Sequence, residues 1–267
     1  MRILRILVLT LAVLSSPLAH ADLVFSAPPR GTEAEERATY EPFVQAMSEW
    51  IGTRVVYDYP GDFVTYTFRM RKGQYDLVFD GPHFVAWRMA NLHHRVLVDL
   101  PEPLVFNVVT GVENGEVNDL DSLINKRVCS LASMQFGTLV VLSQYKLREP
   151  ELQIVKGEAR VAENLQSGQC NVAILRSNVF NRLPEPERAK YKVVFTSNPY
   201  PNSAITAGPR LSDDQRRILT ARLSDPENSA MKDVLIRFTT KAASFTRAEP
   251  TRFVGMDQML KERVFGW

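Results

Sequence analysis

The chain has 267 residues, with 32 Lys and Arg against 30 Asp and Glu. A near-neutral balance argues against a nucleic acid or an anionic membrane surface as partner, since either would leave a basic face. It begins Met1-Arg2-Ile3-Leu4-Arg5, continues apolar to Leu14 and then shows Ala19-His20-Ala21. A basic start, a short apolar centre and an Ala-x-Ala exit predict a secretory signal over residues 1–21, cleaved after Ala21, and hence a periplasmic location. The apolar run falls short of the ~20 residues a membrane span needs, and no Cys follows the cleavage site to take a lipid. Losing residues 1–21 removes two Arg and no acid, leaving 30 charges of each sign. The remainder suffices for one large domain or two small ones.

In chain order, Leu23 to Ala27 reads as a first strand, followed by Pro28-Pro29-Arg30-Gly31-Thr32. Thr32 and Glu35 form a capping box, with further acids in the first turn. Tyr40, Phe43, Val44, Met47 and Ile51 then fall on one helical face, which Gly52 stops. Thr53 to Tyr57 is a second strand, and Asp62 caps a helix that Phe63 opens and that ends in Arg69, Arg71, Lys72 and Gly73. The stretch Tyr75 to Arg88, YDLVFDGPHFVAWR, is the centre of this half. Its apolar run suits a buried parallel strand, Asp80-Gly81-Pro82 breaks it, and Pro82 suits the first position of a helix to about Asn91. The β-α-β-α-β order implies a parallel sheet with helical crossovers, whose carboxyl edge is where open α/β sheets bind ligands.

Leu104 to Thr110 is a further strand. A second series comes after it: strand Arg127 to Leu131, helix Gln135 to Leu147, strand Gln153 to Lys156, helix Ala159 to Gln166 and strands from Asn171 and Tyr191. The Pro-rich Asn198-Pro199-Tyr200-Pro201-Asn202-Ser203 suggests a rigid return crossing, and the chain beyond Ala207 reads as helical. The expected fold class is α/β, a two-lobed clamshell with two crossovers, each lobe a mostly parallel sheet flanked by helices. One lobe takes residues 22–103 plus 204–267 and the other 104–203. Cys129 and Cys170, the only cysteines, both lie on strand-like pieces of the second lobe and are expected to form a disulfide in an oxidising compartment.

The most specific pieces are the PRGT turn at Arg30, the strand-turn GQYDLVFDGPHF and the crossing NPYPNSAITAGP. With the order of elements from Leu23 to about Gly208, they resemble the periplasmic substrate-binding proteins of phosphate/phosphite/phosphonate ABC importers. The resemblance implies a clamshell that grips its ligand between the lobes, no catalysis and no cofactor. It implies as partners a small anionic solute and a membrane permease with its ATPase, the protein itself being a monomer. By position it places a site at Arg30, Gly31, Thr32, Phe63 and Asp80 in one lobe, at Ser133, Met134 and Gln135 in the other, and at Asn178 and Ser203 on the remaining edges. Two departures bear on the ligand. Relatives resemble S-T-S-G where this chain has Ser133-Met134-Gln135-Phe136, and they carry acids near Asn178 and Ser203 that are absent here. Both argue against aminoalkyl phosphonates.

The residues add their own chemistry. Helix starts near Thr32, Gly81 and Gln135 would offer free N–H groups to an oxyanion, and Arg30 or Arg176 a bidentate grip. Asp80 is expected to face a ligand donor or to pair with Arg30. Asp80 with His83 could do acid–base work, but no nucleophile turn accompanies them. His83, His93 and His94 are poorly spaced for one metal ion, so no metal site is expected. An exported module serving a sensor kinase, or binding a metal or another small zwitterion, is the alternative to an importer receptor.

Overall fold

The structure, a computed structural model, describes residues 21–264 and 266–267. The signal peptide expected over residues 1–21 therefore lies, but for Ala21, outside the described residues. Among these, no helix is long and apolar enough to cross a membrane.

The first sheet grows from local signals. Strand β1 (Leu23–Ser26) leads into α1 (Glu33–Ile51), whose Thr32/Glu35 capping box is formed and which ends at Gly52 with φ 64°. Its stripe of Tyr40, Phe43, Val44, Met47 and Ile51 is buried against the sheet. Strand β2 (Val55–Tyr57), helix α2 (Phe63–Arg71, capped by Asp62), strand β3 (Leu77–Asp80) and helix α3 (Pro82–Leu92) come next. β1 pairs in parallel with both β2 and β3. Only two residues separate α3 from strand β4 (Arg95–Asp99), because His93 takes a left-handed φ of 55° that stops the helix.

The second sheet takes the middle of the chain: β5 (Phe106–Gly111), β6 (Arg127–Ser130), α4 (Phe136–Leu142), β7 (Glu151–Ile154), α5 (Glu158–Gln166), β8 (Val172–Arg176), the short α6 (Ser177–Asn181) and α7 (Glu185–Arg188), and β9 (Tyr191–Thr196). The strand order is β7-β6-β8-β5-β9. The chain then returns to the first sheet as β10 (Ala204–Ala207), followed by α8 (Asp213–Leu223), α9 (Lys232–Phe238), β11 (Thr246–Arg247) and α10 (Gln258–Arg263). The first sheet is ordered β11-β4-β10-β3-β1-β2. This is the two-lobed mixed α/β arrangement expected, with one refinement. β5 and β10, the strands that come after each crossing, enter antiparallel to their neighbours, so parallel pairing is confined to β1-β2-β3 and β7-β6-β8.

The two crossings touch. Leu104 and Tyr200 exchange backbone hydrogen bonds of 2.9 Å in both directions. The C-terminal stretch ties the sheets a third time: Leu260 of α10 packs with Leu139 of α4, and Arg263 donates to the Tyr145 carbonyl. α4 also lies close on β5, since a Cβ on Gly137 would stand 2.4 Å from the Phe106 ring. This helix has seven residues, against the thirteen read from Gln135 to Leu147, because the chain leaves the helix in a turn at Ser143 and Gln144.

Cys129 on β6 and Cys170 just before β8 form a disulfide, their Cα atoms 5.8 Å apart. β6 and β8 are neighbouring parallel strands, so the bond clips a loop with a sequence separation of 41. Replacing both cysteines by Ala is expected to lower unfolding free energy by about 3–4 kcal/mol in urea titrations. A change below about 1 kcal/mol would mean the bond constrains little in the unfolded chain.

Candidate ligand-binding site

Where β3 hands over to α3, Asp80 does not look into the cleft. It is fully buried and bound in both oxygens by Arg88, at 2.6 Å each, and it accepts from the Tyr66 hydroxyl. Arg88 also reaches Thr206 on β10. Burial pulls the Arg88 guanidinium down, but Asp80 and Tyr66 carry it above its ordinary value. The expectation that Asp80 meets a ligand donor or Arg30 is therefore corrected. Arg88 sits two helical turns on, its side chain lying back over β3, and satisfies the carboxylate from inside the lobe.

His83 forms the seam between the lobes. Its ring stacks on Phe84 at 4.0 Å and on Phe136 of the other lobe at 5.1 Å. Nε2 lies 2.9 Å from the Met134 carbonyl oxygen, so the neutral ring carries its proton there and donates. Burial pushes His83 down to about 4, against an upward pull from Asp80. Gly81 and Met134 thus lie against this ring. Ser133 is exposed on the turn before α4, and Phe63 packs on Tyr66 in a hydrophobic cluster. α4 has only seven residues, and the Gln135 amide at its start is taken by the Ala132 carbonyl at 2.8 Å. His94 is buried against Thr206, 3.1 Å from its hydroxyl.

A second cluster has a different character. Arg30, Arg176 and Arg237 surround the ring of Phe238 at the end of α9, their guanidinium carbons 4.9, 5.7 and 5.5 Å from its centroid. Arg30 comes from the turn before α1 and Arg176 from the carboxyl end of β8, so the two lobes meet here. Arg30 is 9% exposed and Arg176 7%. Arg237 pairs with the fully buried Glu36 of α1 at 2.5 Å. Arg176 Nε lies 2.8 Å from Glu158 Oε1, but out of line with its N–H. Burial lowers the Arg176 guanidinium, Glu158 opposes this, and the charge of Arg30 adds to the lowering.

Polar atoms gather at this cluster without partners among the described residues: Arg30 Nε, Arg176 Nε, Asn178 Oδ1, the Tyr40 hydroxyl and Glu36 Oε2. Ser203, fully buried at the head of β10, has an unpartnered hydroxyl too. Asn178 is tied to the cluster through its amide, 3.3 Å from the Phe238 carbonyl. Gln135, Glu158 and Arg176 share the wall of a small cavity of about 30 Å³, room for a single water-sized group. The backbone amides of the α1 turn are already occupied, Arg30 by Glu36 and Thr32 by Glu35. Gly157, which caps α5 with φ 95°, comes so near that a Cβ there would stand 3.1 Å from the Arg30 carbonyl oxygen.

Of the residues singled out from sequence, the structure brings Arg30, Gly31, Thr32, Arg176 and Asn178 to this cluster. It leaves Gly81, His83 and Met134 on the seam and Asp80 inside the first lobe, bound to Arg88 and Tyr66. Glu36, Tyr40, Glu158, Arg237 and Phe238 were missed as site residues. Glu36 reads as a helix-dipole acid in the first turn of α1, and Phe238 as one apolar residue in a helical tail, so only the tertiary fold reveals them.

Residues 25–253 match the family described as the periplasmic substrate-binding protein of phosphonate ABC transporters. No curated protein matches the chain by sequence. Among solved structures, the chain is similar to a binding-protein component of an ABC phosphonate transporter from Pseudomonas aeruginosa, at 15% identity over 90% of this chain and 86% of that one, TM-score 0.67. It is similar to PhnD1 from Prochlorococcus marinus in complex with methylphosphonate, at 18% identity over 90% and 97%, TM-score 0.71. It is also similar to a Xanthomonas citri protein bound to ATP, at 14% identity over 92% and 100%, TM-score 0.70. At these identities the structural likeness establishes the fold.

The geometry sets two expected outcomes. Asp80→Ala strands a buried guanidinium and is expected to cost about 3–5 kcal/mol of stability in urea unfolding, leaving the affinity of the folded fraction within a few-fold of the parent. The His83 ring is neutral when buried and titrates near 6.5 when unfolded, so its contribution is full above that pH. It is lost as pH falls towards about 4, amounting to roughly 3 kcal/mol. The difference in unfolding free energy between the parent and His83→Gln is expected to shrink across that window. A difference that stays constant would contradict the assignment.

Proposed function

The chain belongs to the periplasmic substrate-binding proteins of phosphonate ABC transporters, and we propose that it captures a small oxyanion, phosphonate- or phosphate-like, between Arg30 and Arg176. The observation that supports this reading is the pair of buried guanidiniums, one from each lobe, beside one aromatic ring, with Arg30 Nε lacking a partner among the described residues. Arginine suits the task because its planar fork matches the spacing of oxyanion oxygens. Each lobe holds its own arginine, so the full grip exists only when the lobes are together. Capture is thereby coupled to closure about the Leu104–Tyr200 bridge. A monomer exported to the periplasm through a cleaved signal then delivers its solute to a membrane permease driven by an ATPase.

Calorimetry against phosphate, phosphite, methylphosphonate and aminoethylphosphonate tests the reading. Arg30→Ala and Arg176→Ala are each expected to weaken the tightest of these at least about tenfold, since a charge-assisted hydrogen bond exceeds the 1.4 kcal/mol that a factor of ten represents. Parental affinity in both variants would refute the site, and millimolar or weaker binding of all four would refute the ligand class.

A further inference from the structure

Resting on that reading, we propose that Phe238 is the positioning residue of the oxyanion site: its ring holds the Arg30 and Arg176 guanidiniums together without taking up the N–H donors that an anion needs. Three guanidinium carbons stand over this ring, those of Arg30, Arg237 and Arg176, at 4.9, 5.5 and 5.7 Å from its centroid. All lie within the roughly 6 Å over which an aromatic face attracts a cation, and the attraction is strongest where water is excluded. Phe238 itself is 2% exposed. Like charges gathered on one ring would otherwise drive one another apart. Elsewhere in the first lobe, buried arginines are held by carboxylates: Arg88 gives both terminal nitrogens to Asp80, and Arg237 gives Nη2 to Glu36. A carboxylate holds a guanidinium by accepting its hydrogen bonds, and so uses up the fork. An aromatic face stabilises the charge while accepting no conventional hydrogen bond. Arg30 is held in the second way. Its side chain donates to the Pro28 carbonyl at 3.4 Å, and its Nε has no partner among the described residues.

The ring is itself fixed from several sides. It packs in the core of the first lobe and meets Phe79 of β3 edge to face, their centroids 5.1 Å apart. Phe238 is the last residue of α9, and its carbonyl accepts from the Asn178 amide of α6 at 3.3 Å. The next carbonyl, of Thr239, accepts from Arg182 just beyond α6. Glu102, on the first crossing, accepts from the Thr240 and Lys241 amides at 2.8 and 2.9 Å. The end of α9 is thus tied to the second lobe and to the crossing, with its ring set between one arginine of each lobe. Arg30 and Phe238 share a lobe, so their contact does not depend on closure, whereas the Arg176 contact is made only when the lobes meet. Phe238 therefore prepares one guanidinium in advance and receives the other on closure, which removes part of the ordering cost from the binding step.

Replacing Phe238 by mono-, di- and trifluorinated phenylalanine tests this, because fluorine withdraws charge from the π face while the ring keeps its shape and apolar character. Calorimetry with methylphosphonate and with phosphate is expected to show affinity falling stepwise along the series, by about tenfold in all. Phe238→Leu, which fills the space without a π face, is expected to bind at least about tenfold more weakly than the parent. Thermal melting checks its folding, and the fluorinated series decides the matter if the leucine variant does not fold. A ring that serves only to fill the core would leave affinity unchanged along that series. Affinity flat within about twofold, or without order in the number of fluorines, would overturn this inference. Affinity that rises with fluorine would overturn it too, since the ring would then be competing with the anion for the guanidiniums. In these cases the oxyanion reading stands as long as Arg30→Ala and Arg176→Ala still weaken binding. If neither arginine variant weakens it, or neither probe binds, both fall.

Discussion

Two positive charges buried side by side are the constraint around which this molecule makes sense. Arg30 and Arg176 come from opposite lobes, are almost wholly removed from water and share the face of one phenylalanine. Isolated buried charges are costly unless paired and hydrogen-bonded. Glu158 partly compensates Arg176, while Glu36 is already committed to Arg237. The closed arrangement therefore leaves the guanidinium pair under-compensated, and a bound anion would relieve that repulsion. On the proposed reading, this would give closure its chemical selectivity: neutral solutes would enter a cleft whose electrostatic cost they cannot reduce.

The surrounding fold keeps that pair addressable. Asp80, the nearest acid in the strand-turn of the first lobe, is taken out of play by Arg88 and Tyr66 inside its own lobe. The His83 seam and the C-terminal tie through α10 hold the lobes in register on the far side of the cleft. Their contacts are aromatic and apolar, with few directional bonds to break, so they can separate and re-form as rigid bodies about the paired crossings.

Much of the architecture was legible because it is written locally. Capping residues at Thr32 and Asp62, the stripe on α1, the Pro82 start of α3 and the Pro-rich return crossing are each signals that span a few residues. The features that escaped are non-local. β4 hides behind a left-handed histidine directly after a helix, and while the chain's return near residue 200 was legible, the antiparallel place of β10 between β3 and β4 was not. The partner of Asp80 lies eight positions along, across a strand-to-helix turn, where no periodic pattern points to it. Glu36 has the profile of an ordinary dipole-compensating acid, and only burial reveals it as a component of the charge cluster. The family resemblance pointed to Arg30 and Asn178, which the fold brings to the guanidinium cluster, but not to Phe238 and Arg237 in the C-terminal helices.

A crystal structure of the protein with methylphosphonate is the most direct test of the two-arginine grip. The phosphonate oxygens are expected within hydrogen-bond distance of both Arg30 and Arg176, beside the Phe238 ring, with Asp80 still bound to Arg88. A phosphonate seated instead in the His83–Met134 seam, or held by one lobe with neither guanidinium in contact, would contradict it.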